Sequence, residues 1–156
     1  MLMWARKRPN GFEPAGDAHI EEFDKLKNGQ IYRLEVKKER DNGFHRKVFS
    51  MLRTAFDYWE PPKNTNNPYL DHLNPEKNFD KFRKELTIRA GFYDAFYNVD
   101  GSCSVEPKSI SYESMDQTEF EELFNKFMEV ILNSPQIVPA DEHQAKLFRD
   151  LIVSYL

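Results

Sequence analysis

The segment Asn42–Pro62, NGFHRKVFSMLRTAFDYWEPP, constrains the fold more than any other stretch of the chain. At 100° per residue Phe44, Val48, Met51, Leu52, Ala55, Phe56 and Trp59 fill one broad apolar arc, and Pro61–Pro62 ends the helix. An arc this wide belongs to a central core helix. Its first turn, however, carries His45, Arg46 and Lys47, where the positive end of the macrodipole disfavours a cation by roughly 0.3–1 kcal/mol. Those charges are either solvated or placed for an anion. Helical geometry sends them in three directions. His45 falls within the apolar arc and is expected to be partly buried and satisfied by a partner. Lys47 points with Thr54. Arg46 shares a polar strip with Ser50, Arg53 and Asp57, where an Arg53–Asp57 surface pair is the competing use of Arg53.

The remaining pattern places further elements around this helix. Leu2–Arg8 reads as a short strand, followed by the turn residues Pro9, Asn10, Gly11 and Pro14, and Asp17 as the N-cap of a helix through Lys27. Gln30–Arg40 alternates Tyr32, Leu34 and Val36 with Arg33, Glu35 and Lys37, the pattern of a half-buried strand. Asp41-Asn42-Gly43 then turns the chain, and Lys63–Pro75 is a polar surface loop. Asn74-Pro75 starts a helix over Glu76–Ala90 that Gly91 stops. Asp100-Gly101 joins two strands in a hairpin, Ser109–Tyr112 adds another strand, and Asp116-Gln-Thr-Glu119 opens a helix as a capping box. A last helix, from about Ala140 to Tyr155, completes the core or forms the face of a homodimer. With no repeat, low-complexity tract or linker, the expectation is one α+β domain over residues 1–156, a small antiparallel sheet packed by four to five helices.

Bulk properties narrow the functional classes. The chain of 156 residues is long enough for a real core, and thirteen Phe, seven Tyr and two Trp make that core aromatic. No apolar run reaches the length of a membrane span, and the N-terminal charges follow a very short apolar run, the reverse of a secretory signal. The single Cys103 excludes an internal disulfide framework and fits a reducing compartment, so a cytoplasmic location is expected. Net charge is −4, but residues 1–53 hold twelve Lys/Arg against eight Asp/Glu, whereas residues 54–156 hold ten against eighteen. Such a chain can bind nucleic acid through its basic third, because affinity follows local phosphate contacts. The competing reading is that the two charge sets neutralise each other within the fold.

Tests for catalytic patterns give little. His19, His45, His72 and His143 are scattered without metal-ligand spacing, Cys103 has no nearby His, and neither glycine fingerprint for nucleotide phosphates occurs. No catalytic residue, metal or cofactor is assigned, and whether the chain is an enzyme is left open. Glu35-Val36-Lys37 matches the Glu-x-Lys element of metal-dependent nucleases, but no second acid stands placed to complete it. The basic constellation is stronger. Arg33, Lys37, Lys38 and Arg40 lie on or just after the expected strand, and Arg46, Lys47 and Arg53 on the helix that follows. A strand end meeting a helix N-terminus offers free N–H groups beside guanidinium donors. Tyr58 and Trp59 are available to stack bases, although at helical spacing such aromatics commonly face the core.

These residues also carry a resemblance. Asn42-Gly-Phe-His-Arg-Lys-Val-Phe-Ser-Met-Leu52 followed by Phe56-Asp-Tyr-Trp-Glu-Pro61 resembles the central motif of an uncharacterised family of tailed-phage and prophage proteins. Phe82-Arg-Lys84, Ala90-Gly-Phe-Tyr-Asp94, Asp100-Gly101, Pro107-Lys-Ser-Ile110 and Met115-Asp-Gln-Thr-Glu-Phe120 follow in the family's order, so the resemblance spans roughly residues 30–132. Over one helix turn the start at Asn42 is also similar to the NinB (Orf) recombination proteins of lambdoid phages, which bind single-stranded DNA as recombination mediators. Lys47-Val48-Phe49 departs from that pattern, and the chain is short between its two long helices. The resemblance implies a phage-encoded, non-enzymatic accessory protein of DNA metabolism that binds single-stranded DNA in the host cytoplasm. Arg33, Lys37, Lys38, Arg40, Arg46, Lys47, Arg53, Tyr58 and Trp59 are then the candidate nucleic-acid contacts. The alternative is a counter-defence protein that blocks a host protein through an acidic surface around Glu119, Glu121 and Glu122; a metal-dependent nuclease is third.

Overall fold

The structure, a computed structural model, describes residues 3–62 and 72–156. Its chain divides into two compact units, Met1–Val36 and Lys37–Leu156. The first unit is built on a hairpin, β1 (Ala5–Arg8) and β2 (Gly11–Pro14), with Arg8 opposite Gly11. Pro9 and Asn10 alone therefore make the turn, and Gly11 and Pro14, expected as turn residues, are the two ends of the second strand. Glu13 bridges to Arg8, whose hydrogen bond holds its carboxyl below the usual carboxylate range. One 3₁₀ turn, Asp17–His19, leads into the short helix α1 (Ile20–Asp24). Asp17 makes no side-chain cap, so the expected helix to Lys27 shrinks to these pieces. No described residue of this unit is buried.

The strand expected over Gln30–Arg40 does not form. Ile31, Leu34 and Val36 are exposed, and no strand among the described residues pairs with the segment. Alternation provides a face to bury, but only a neighbouring strand provides the hydrogen-bond ladder.

The second unit holds the core. Helix α2 (Asn42–Tyr58) is capped by Asp41, whose Oδ1 accepts from Phe44 N at 2.8 Å, so Asn42 and Gly43 open the helix where a turn was expected. Val48, Met51, Leu52 and Ala55 are fully buried, as the apolar arc requires. Helix α3 (Phe79–Arg89) starts one turn later than expected, because the side chain of Asn78 caps Lys81 N at 2.9 Å in place of Asn74. Gly91, at φ +87°, ends it as expected. The expected loop over residues 63–75 lies outside the described residues as far as residue 71.

Strands β3 (Tyr93–Tyr97) and β4 (Cys103–Pro107) form the second hairpin, with Tyr97 opposite Cys103. Its connection is five residues long and not a two-residue turn. Gly101 supplies the positive φ of +82°, and Asp100 Oδ1 accepts from Ser102 N. Ser109–Tyr112 is not a strand; Ile110 instead buries its side chain in the core. Helix α4 (Gln117–Asn133) carries the expected capping box between Asp116 and Glu119, and Phe120, Leu123, Phe127 and Ile131 are fully buried. Helix α5 (Glu142–Val153), capped by Asp141, adds Phe148 and Ile152 to that core, and Tyr155 Oη meets Thr54 Oγ1 at 2.8 Å. The architecture is α+β as expected, with two separate two-stranded sheets in place of one.

Candidate nucleic-acid interface

The base of the site is the start of α2, and a buried cation holds it. Arg40, read from the sequence as a surface contact for phosphate, is 6% exposed. Its guanidinium lies between the rings of Phe120 (3.7 Å) and Tyr112 (4.5 Å). Nη1 donates to the carbonyl of Ile110, and Nη2 donates to His45 Nδ1 at 2.7 Å, while Nε is buried without a partner. No carboxylate pairs with Arg40 among the described residues. Burial therefore pushes its pKa down. Arg40 thus ties the start of α2 to the 108–116 segment and to α4, with Nη1 and Nη2 both engaged inside the protein.

His45 behaves as its place in the apolar arc demands. Its ring stacks on Phe49 at 4.5 Å and on Phe120 at 5.5 Å. Arg40 has no acceptor to offer, so Nδ1 must be unprotonated to receive its N–H. Desolvation and the adjacent Arg40 charge both push the imidazole pKa down, and the neutral form prevails.

The outer strip of α2 has the opposite character. Arg46, Ser50 and Arg53 are exposed on one line. At 1.5 Å per residue the two guanidinium-bearing positions stand about 10 Å apart along the axis. Neither arginine forms an ion pair among the described residues, and the competing Arg53–Asp57 pair is not made. Arg53 instead places its guanidinium carbon over the Phe79 ring, 3.8 Å from the centroid, a contact that does not neutralise its charge. Lys47 places Nζ over the rings of Phe44 and Phe124, 4.9 and 5.1 Å from their centroids. Lys77, which the sequence reading missed, places Nζ 4.7 Å from the Phe56 ring. Only the packing of α3 against α2 brings it there, so no local signal marked it.

Several candidates fall away from this surface. Tyr58 packs on Phe148 (5.0 Å) and Trp59 on Phe82 (5.2 Å), so both aromatics face the core and not a base. Lys38 pairs with Glu121 at 3.5 Å, joining a candidate phosphate ligand to a candidate of the acidic alternative. Gln117 and then Lys38 hold the Glu121 carboxyl below its usual range. Glu119 closes the capping box of α4, and only Glu122 of the three acids is uncommitted among the described residues. Lys37 is exposed and engaged in a contact, and Arg33 is an exposed residue of the first unit. Among the described residues no three His, Cys, Asp or Glu side chains converge as a metal site.

The family model described as "Protein of unknown function (DUF1367)" matches residues 6–73 and 62–139. The chain belongs to the DUF1367 family. No curated protein and no solved structure matches it. The DUF1367 match contains α2, α3, the β3–β4 hairpin, all but the first residue of the β1–β2 hairpin and all the candidate contacts, so the cationic strip lies within the family domain. Helix α5 begins after the matched residues, yet Phe148 and Ile152 are fully buried in the core.

Proposed function

We propose that this DUF1367 protein binds nucleic acid, in the first instance single-stranded DNA, through the outer strip of α2. The observation that carries this reading is the exposed pair Arg46 and Arg53, which share one strip and have no carboxylate partner among the described residues. An unpaired surface cation binds phosphate without giving up an internal ion pair, and each phosphate contact releases condensed counterions. Lys47 and Lys77 widen the positive field at the two ends of the strip. The exposed hydroxyl of Ser50 between the arginines adds a further donor.

The preference for single strands rests on the resemblance of the Asn42 helix start to the NinB recombination proteins. The protein is then a phage-encoded, non-enzymatic accessory factor of DNA metabolism acting in the cytoplasm of the host. Blocking a host protein through acidic groups is the weaker reading, since Glu119 and Glu121 are already committed within the chain.

Titration of fluorescent single- and double-stranded oligonucleotides at two salt concentrations, with and without Mg²⁺, tests the proposal. Binding that weakens steeply with salt and favours the single strand is the expected result. Absence of binding at low salt would refute it, and Mg²⁺-dependent cleavage of the oligonucleotide would replace it with a nuclease.

A further inference from the structure

The β3–β4 hairpin offers a second surface, independent of the cationic strip. All five residues of β3 are exposed, with Tyr97 at 89%, Phe96 at 52% and Tyr93 at 45%. A two-stranded hairpin alone is marginal in water. Helix α3 packs against β4, and the outward-facing positions of β4 include Pro107, which has no N–H to donate, so β3 is the edge better able to pair.

The backbone shows what that edge presents. Lys108 N donates to Phe92 O at 3.0 Å and Asn98 N donates to Ser102 O at 2.8 Å, so residues 92/108 and 98/102 are hydrogen-bonded pairs. Alternation along the unbroken register makes 94/106 and 96/104 hydrogen-bonded as well. The N–H and C=O groups of Tyr93, Ala95 and Tyr97 therefore point outward. Tyr-Asp-Ala-Phe-Tyr contains no proline or lysine, and its ladder has no bulge, so Asp94 is the one charge that guards the edge against pairing.

We propose that β3 pairs antiparallel with β3 of a second copy of this chain, about a two-fold axis at Ala95, making a four-stranded sheet β4-β3-β3-β4. Outward-facing residues must meet outward-facing residues. Centring on Ala95 does this for Tyr93 against Tyr97 of the second copy, Ala95 against its own copy, and Tyr97 against Tyr93. Each pair exchanges both backbone hydrogen bonds. Asp94 then stands opposite Phe96 of the second copy. A shift by two residues one way sets Asp94 against Asp94, a repelling like-charge pair, and a shift the other way loses a hydrogen-bonded pair. On one face Tyr93, Ala95 and Tyr97 join Cys103, Val105 and Pro107 as an uncharged surface continuous across the axis, with Asp94 and Glu106 on the other. Pairing about Ala95 joins two copies of the same uncharged face and keeps Asp94 away from Asp94, which is the argument for a second copy as the partner of this edge.

Sedimentation equilibrium of the full chain over a concentration series is the test. A reversible dimer is expected, and Ala95→Lys, which opposes two ammonium groups at the axis, should weaken dimerisation about tenfold or more with the melting of the monomer unchanged. Ala95→Pro removes an outward N–H that takes no part in the β3–β4 ladder and should act in the same direction. Ala95→Cys in a Cys103→Ser background should be cross-linked between copies by a short bis-maleimide, because hydrogen-bonded antiparallel partners have Cα atoms about 5.5 Å apart, within the reach of such a reagent and too widely set at Cβ for an unstrained disulfide. A chain that stays monomeric at the highest concentration overturns the proposal. So does a dimer that ignores both the Lys and the Pro substitution at Ala95, or one in which the Ala95→Cys variant fails to cross-link.

Discussion

Helices α2 and α3 both present cations to solvent, and they dispose of them in opposite ways. On α3 the acids stand one turn from the bases. Asp80 pairs with Arg83 at 2.6 Å and Lys84 at 2.8 Å, and Lys81 pairs with Glu85 at 3.3 Å. Lys84 and Arg83 also hold the Asp80 carboxyl below its usual range. On α2 Arg46 and Arg53 have no such neighbour in contact, and Arg53 rests on an aromatic ring. The count of basic residues on a helix therefore says little about binding; the spacing of the acids decides whether the charge remains available. Exposed pairs of the α3 kind are worth only about 0.3–0.5 kcal/mol each, yet they engage Lys81, Arg83 and Lys84 with carboxylates, and only Arg89 at the end of α3 is without an ion pair among the described residues.

The contrast can be undone at its foundation first. The strip on α2 is presented by a helix whose start is pinned by Arg40, whereas the lysines of α3, Lys81 and Lys84, are on the outside. Arg40→Ala removes the guanidinium from between Phe120 and Tyr112 and leaves Ile110 O and His45 Nδ1 without their donor, so chemical denaturation should show a loss of about 2–4 kcal/mol. An unchanged midpoint would mean that the start of α2 is held by something else.

The next largest effect concerns the strip itself. Replacing both Arg46 and Arg53 by Ala should lower oligonucleotide affinity about tenfold or more at low salt while the melting temperature barely moves. Smaller still is the effect of acid. His45 has a folded-state pKa below its ordinary value of 6.5, so the unfolded chain binds the proton more readily. Stability should be complete above about pH 6.5 and fall as the pH drops below it, by at most about 1.4 kcal/mol per pH unit for this one group. Melting curves across that range should show a shallower fall in His45→Gln, which keeps an acceptor for Arg40 and does not titrate. The smallest effect belongs to α3. Lys81→Ala and Lys84→Ala should each change stability by less than about 0.5 kcal/mol and leave oligonucleotide affinity within about twofold.

Much of this frame was legible in the sequence because helices announce themselves locally. The arc from Phe44 to Trp59, the box Asp116–Glu119 and the turn residues Asp100-Gly101 each encode their element within a short window, and each element formed. What was missed depends on distant partners. The alternation Tyr32, Leu34, Val36 promised a strand, but it says nothing of whether a neighbour exists to pair with it. Arg40 looked like a surface cation because arginine usually is one; only Ile110, Tyr112 and Phe120, some seventy to eighty residues away, make it an interior residue. For the same reason Lys38 looked free until α4 brought Glu121 to it. Tyr58 and Trp59 followed their helical spacing into the core, as the plainer of their two readings required.

The central claim, that α2 and not α3 is the anion-binding helix, is tested most directly by the salt dependence of single-stranded oligonucleotide binding in Arg53→Ala and Lys84→Ala measured side by side. The slope of log affinity against log salt should flatten by about 0.7 for Arg53→Ala, the value for one lost phosphate contact on a single strand, and stay unchanged for Lys84→Ala. Equal slopes in the two variants, or flattening confined to Lys84→Ala, would contradict the claim.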